Sequence, residues 1–218
     1  MAQYELGAYR KAVSSFKCSV ELDENWASGY MGLGKAYLQI KYRRLDARNA
    51  LRVAARLAPD DPEIQYQLGI AHMNPRRTDR IVGGDRDGRS FFLKAAVLDP
   101  VHPDAFYQVG RCYERPESPE FDTAMAAYIS QFRVNRLHYD ALSRFVYLAL
   151  LTEGYGLATE LLDRAAADLG TVDDLGAAAE QVASGTVIVG ALRKQFSTLS
   201  EAVKPRPDVN IKRVFSMV

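Results

Sequence analysis

The chain has 218 residues, 48% of them hydrophobic and 25% charged, the composition of an ordinary globular protein long enough to bury a sizeable core. A formal net charge of +1 supplies no bulk field toward nucleic acid, an anionic membrane or an acidic substrate, so no nucleic-acid partner is expected. Cys18 and Cys112 stand far apart and outside any CxxC spacing, within helical patterns, which predicts buried reduced thiols and neither a zinc site nor a disulfide framework.

In chain order, the first predicted helix leads from Gly7-Ala8-Tyr9 through Ala12, Phe16 and Leu22, with only Ala2 to Leu6 before it. The second carries Leu33-Gly34-Lys35-Ala36-Tyr37, where Leu33 and Tyr37 share a face and Gly34 admits a close neighbour. The third places Ala47, Leu51, Ala54 and Leu57 on one apolar stripe at a 3.6-residue period. Echoes of the second helix follow at Leu68-Gly69-Ile70-Ala71-His72 and Val109-Gly110-Arg111-Cys112-Tyr113, so the glycines are 35 and then 41 residues apart. Large apolar residues form a second ladder at Phe16, Leu51, Phe92, Tyr128 and Leu162, spaced 35, 41, 36 and 34. Three residues after each stand Ser19, Ala54, Ala95, Gln131 and Ala165, mostly small. The step from large residue to next glycine is 18 for Phe16 to Gly34, Leu51 to Gly69 and Phe92 to Gly110. Pro59, Pro62, Pro100 and Pro103 punctuate the helix ends, because proline cannot continue a helix but is tolerated in its first turn.

A fixed period of this length with these residues resembles the tetratricopeptide repeat, a unit of about 34 residues with a Leu-Gly-x-x-Tyr core, a small residue, an aromatic or leucine, and a closing proline. Tyr30 to Pro59 and Ile64 to Pro100 match closely, Ala105 to Asn135 fairly, and Tyr139 to Leu169 keeps Ala158, Leu162 and Ala165 but holds Val146 at the glycine position. The resemblance implies an all-α fold, a tetratricopeptide-type solenoid of helical hairpins wound as a right-handed superhelix. The expected divisions are a truncated first repeat at 1–26 with its second helix alone, repeats at 27–61, 62–102 and 103–137, a divergent repeat at 138–170, a capping hairpin at 171–203 and a tail at 204–218. An unpaired first helix exposes its stripe, so a fragment, a misplaced start or a covering partner is expected, with self-association through that helix as one form of cover. The compartment is not read from the sequence; the cytoplasm is the default unless an N-terminal signal is missing from this chain. Apolar stretches such as Val187 to Leu192 are far shorter than the ~20 residues of a membrane span, so no membrane insertion is expected.

The 41-residue step places about six extra residues in a loop at 74–89 between the two helices of its unit. Within it, Gly83-Gly84-Asp85-Arg86-Asp87-Gly88-Arg89-Ser90 has P-loop glycine spacing with arginine for lysine, but Asp85 and Asp87 would repel a phosphate and no strand precedes it. A calcium loop would need further oxygen ligands and a closing glutamate, where Ser90 and Phe91 stand instead. The reading is a glycine turn with Asp85 or Asp87 capping the next helix; the loop's Arg76, Arg77, Arg80 and Arg86 either belong to a solvated surface loop or contact an acidic partner.

His72, His102 and His138 have no metal-ligand spacing; His72 replaces the repeat's core tyrosine as a packing residue, and the other two fall in inter-repeat turns. No catalytic residues, metal or cofactor are assigned, and no enzyme activity is expected. The resemblance instead implies a protein- or peptide-binding scaffold or adaptor. Its first helices would line a concave face with Met31 and Lys35 from one unit, Tyr66 and Ile70 from the next, and Tyr107 and Arg111 from the third. Glu63 and Asp104 would oppose a C-terminal carboxylate, which argues against a chaperone-tail adaptor and for a ligand with apolar groups and some negative charge. The alternative is the recognition arm of a larger enzyme or of a secretion or assembly complex whose working part lies outside the chain.

Overall fold

The computed structural model describes residues 2–73, 88–114, 119–152, 155–170, 189–191 and 194. Among them the regular structure is entirely helical: α1 (Ala2–Leu22), α2 (Ala27–Leu38), α3 (Arg44–Leu57), α4 (Pro62–His72), α5 (Arg89–Leu98), α6 (Ala105–Tyr113), α7 (Phe121–Val134), α8 (Tyr139–Leu151) and α9 (Tyr155–Gly170). The chain divides into two compact units, Met1–Ala105 and Phe106–Val218.

In the first unit α2 packs on α3 and α4 on α5, each pair an antiparallel hairpin, and α1 packs on α2. The glycine and large-residue ladders meet inside these hairpins. A Cβ placed on Gly34 would stand 2.5 Å from the Leu51 side chain, and one on Gly69 would stand 2.6 Å from the Phe92 ring. Each glycine thus admits the large residue of its own partner helix, and Leu51 and Phe92 are fully buried. Hiding side chains of that size stabilises the fold by roughly 1.5–3 kcal/mol each. One apolar cluster joins Val20, Leu33, Tyr37, Ala47 and Ala50. A second joins Leu51, Leu68 and Ala71 across α3 and α4, with Met31 and Phe91 against it.

In the second unit Gly110 repeats the arrangement, its missing Cβ leaving room for the Tyr128 ring. The core there gathers Tyr128, Phe132, Leu142, Phe145, Val146, Leu161, Leu162 and Val189. Val146, at the glycine position of the divergent repeat, is itself buried. Gln131, the amide of the small-residue ladder, is fully buried, and its Oε1 accepts the Tyr107 backbone N–H at 3.2 Å. Apart from Val189 and a few flanking positions, the expected capping hairpin lies outside the described residues, as does the whole tail at 204–218.

Three expectations change. Leu57 closes the α3 stripe in sequence, yet it is 36% exposed as the last residue of its helix. Cys18 is exposed while Cys112 is buried: α1 has a neighbour on one side only, and Phe16 and Val20 take that side. The cap position of α5 belongs to Gly88, which offers no side chain; its φ of 73° and a would-be Cβ 2.4 Å from the Gly69 carbonyl oxygen allow nothing but glycine there. Asp85 and Asp87 lie outside the described residues.

Candidate functional site

The first helices bear the candidate residues, and their N-termini are set by a capping position that recurs with the repeat. Asp61 accepts the Ile64 N–H through its carboxylate at 3.0 Å. His102 and His138 do the same through Nδ1, toward Ala105 at 3.1 Å and Ala141 at 3.2 Å. Each accepts from the residue three positions on, so one orphan donor of each helix start is satisfied. At the corresponding place before α2, Trp26 makes no side-chain cap and lays its ring over Gly29.

In the first unit Lys35 on α2 reaches Glu63 on α4 with Nζ 3.1 Å from Oε1. Gln67 donates to the same oxygen at 2.9 Å, and His102 Nε2 lies 3.5 Å from the other. Burial raises the Glu63 pKa, but the hydrogen bonds from Gln67 and Lys35, the Lys35 charge and the His102 contact outweigh it, leaving the carboxyl below its ordinary value. Tyr66 stacks against His102 with centroids 4.6 Å apart and against Phe92 at 5.6 Å, and its hydroxyl donates to Asp104. Met31 is half-buried on the Leu51–Leu68 cluster, and Ile70 is also half-buried. Lys35 is therefore balanced by Glu63, and Glu63 and Asp104 are engaged by the protein's own donors.

In the second unit Tyr107 lies between Tyr128 and His138, with centroids at 5.7 and 4.8 Å. Arg111, one turn further along α6, is exposed. Behind them the Tyr128 hydroxyl donates to Glu114, which also meets Arg144 at 3.4 Å. Burial, reinforced by Glu114, pushes the Tyr128 hydroxyl far above its ordinary value, so it stays a donor. The structure thus brings Lys35 to the Tyr66 neighbourhood through Glu63 and His102. Arg76, Arg77, Arg80 and Arg86 lie outside the described residues.

Two exposed residues on α8 escape the sequence reading: Tyr147 and Leu151, each 53% exposed. Lys35, Ile70, Arg111 and Tyr147 follow one another at 35, 41 and 36 residues, so Tyr147 holds the same repeat position. That spacing is legible, since Val146 stands at the glycine position, but the exposure of Tyr147 is not. Among the described residues no group of three or more His, Cys, Asp or Glu side chains is placed to hold a metal. No helix among them is long and apolar enough to cross a membrane.

Solved structures with the same hairpin arrangement include a crystal structure of MamA, 19% identical over 88% of this chain and 92% of that one, with a TM-score of 0.58. Another is YrrB, described as a TPR protein with an unusual peptide-binding site, 18% identical over 88% of this chain and 86% of that one, with a TM-score of 0.56. The fold is a tetratricopeptide-type helical-hairpin solenoid. No family model matches the chain. No curated protein matches it either. At these identities the likeness of the solenoid to MamA and YrrB concerns the fold alone.

Proposed function

We propose that this tetratricopeptide-type chain is a scaffold that binds a protein or peptide through the faces of its first helices. In the first unit that face holds Met31, Lys35, Tyr66 and Ile70; in the second it holds Tyr107 and Arg111, with Tyr147 and Leu151 added. The observation that carries the reading is the exposure of Tyr147, in the repeat register of Arg111, and of Leu151 one turn further on. A tyrosine and a leucine four apart on a helix share a face, and holding both in water forgoes burial that a partner would supply. Tyrosine and arginine are the residues most often found as interface anchors, because they combine large contact area with a polar handle. The satisfied network of Lys35, Glu63, Gln67 and His102 fits a preformed lining, which loses little freedom when a partner docks. YrrB, with its peptide-binding site, gives a precedent on the same fold. The ligand this face suits carries apolar side chains and a carboxylate for Arg111.

The test is selection from a displayed peptide library against the whole chain, with affinities of the winners then measured by anisotropy. Arg111→Ala with Tyr147→Ala is expected to weaken winners by about tenfold or more, as loss of interface anchors does. Winners that bind this variant, and a Tyr66→Ala with Tyr107→Ala variant, as tightly as the parent chain would overturn the assignment.

A further inference from the structure

A second surface lies on the first unit, built mainly on the second helix α3, and is independent of the reading above. Helix α3 carries arginines at every fourth position, Arg44, Arg48, Arg52 and Arg56. The first two are committed to the fold. Arg44 donates to the Ile70 carbonyl at 2.7 Å and also to Met73, and Arg48 Nε donates to the Ala71 carbonyl at 2.8 Å. Together they satisfy the carbonyls that α4 leaves open at its C-terminus, where positive charge also meets the negative end of the helix dipole.

Arg52 and Arg56 have no such task. Both are exposed. They line an open groove of about 610 Å³ together with Asn49, Val53, Ala55, Leu68 and Phe91. Among the described residues no carboxylate lines the groove. The one acidic residue of α3, Asp46, is held by Arg43 at 2.7 Å. Two like charges one helical turn apart repel each other, a small cost to the isolated helix that an anion would reverse. The floor beside them is apolar: Leu68 is buried, and Phe91 packs half-buried against the Leu51–Leu68 cluster and the His72 ring. A cation beside a low-dielectric wall attracts an anion more strongly than one surrounded by water.

We infer that this groove binds an acidic peptide segment of a partner protein, with two carboxylates on Arg52 and Arg56 and an apolar side chain set against Val53, Leu68 and Phe91. The pairing of charge with a hydrophobic floor selects such a segment over a plain polyanion, which has nothing to place on Phe91. Arginine suits the task because its planar fork holds a carboxylate through two parallel bonds.

The experiment uses the whole chain and a labelled peptide built from Glu-Glu-Leu units, followed by fluorescence anisotropy at low and high salt. Binding is expected to weaken with salt. Arg52→Glu with Arg56→Glu is expected to weaken it by about tenfold or more, since each carboxylate then meets a like charge. The same variant is expected to gain affinity for a Lys-Lys-Leu counterpart, a rescue that no unfolded variant would show. Phe91→Ser checks the apolar floor, with circular dichroism to establish folding. Several results would overturn the inference: no binding of the acidic peptide, equal binding of a Gln-Gln-Leu counterpart, or unchanged affinity in the charge-reversed variant. Loss on Arg111→Ala with Tyr147→Ala alone would assign the peptide to the first-helix face instead. Tighter binding of a single-stranded oligonucleotide of equal charge, or a concentration-dependent dimer abolished by the charge reversal, would overturn it in favour of those occupants.

Discussion

The ring of Tyr66 lies against that of His102 with centroids 4.6 Å apart, and Tyr107 meets His138 in the same way at 4.8 Å. The tyrosine stands on a first helix and the histidine caps the first helix of the next repeat, so one contact couples the face of a hairpin to the start of its successor.

Capping by histidine makes a graded prediction. His102→Ala removes both the acceptor for the Ala105 N–H and the ring beside Tyr66, whereas His102→Asn retains an acceptor. The alanine variant is expected to lose about 1–2 kcal/mol in urea denaturation, and the asparagine variant about half of that. His138→Ala and His138→Asn should follow the same order. Equal losses for alanine and asparagine would mean that ring packing dominates.

The glycines predict opposite signs for one substitution. Alanine raises helix propensity by about 1 kcal/mol over glycine. At Gly7 nothing stands within 4 Å of the new Cβ, so Gly7→Ala should stabilise. At Gly69 the Cβ would meet the Phe92 ring at 2.6 Å. Gly69→Ala should therefore destabilise by about 1–3 kcal/mol, the cost of overpacking a core. Combining it with Phe92→Leu, which frees space, should recover part of the loss, and thermal denaturation of the four chains reads the cycle.

The Glu63 carboxyl gives a pH dependence. Its folded value lies below the ordinary 4.5 because its hydrogen bonds from Gln67 and Lys35 outweigh burial. A lowered value means that the unfolded chain takes up the proton first as pH falls. The stabilisation is then complete above the ordinary value and disappears as pH drops through the folded one. With 39% of the side chain exposed, solvent screens the effect. The parent chain should exceed Glu63→Gln by less than about 1 kcal/mol at neutral pH. That margin should begin to shrink below the ordinary carboxylate value and vanish below the folded one, as urea denaturation across the acid range would show. A margin independent of pH would remove the network from the account of stability.

How much was legible followed from distance along the chain. The hairpins could be read because Gly34, Leu51, Gly69 and Phe92 repeat at intervals that a local pattern preserves, and the structure closes those ladders on each other. His102 and His138 could be placed in turns, but the capping role of Nδ1 depends on a backbone angle that no residue type announces. Lys35 reads as a free positive end until α2 and α4 are set side by side and Glu63 neutralises it. Cys18 reads as buried by its helical pattern alone, since a helix with one neighbour has an outer face that the pattern does not mark. Tyr147 stands one residue after Val146, which holds the glycine position of the divergent repeat, so its register was legible; its exposure depends on how α8 packs, which the spacing does not mark.

The arginine ladder of α3 supplies the last prediction, because residues alike in type and spacing differ only in what they touch. Arg48 is 4% exposed, and its Nε satisfies the Ala71 carbonyl near the end of α4. Arg48→Met keeps the aliphatic bulk but strands that carbonyl away from water, and should cost about 1–3 kcal/mol. Arg44→Met, half-buried with two carbonyls to lose, should cost a similar amount. Arg52→Met, at an exposed position with no part in the helix terminus, should fall within about 0.5 kcal/mol of the parent. Hydrogen exchange adds a local reading: the last turn of α4 should open more readily in the first two variants and be unchanged in the third. A uniform response along the ladder would mean that helix-wide charge repulsion, and not the end of α4, sets its contribution.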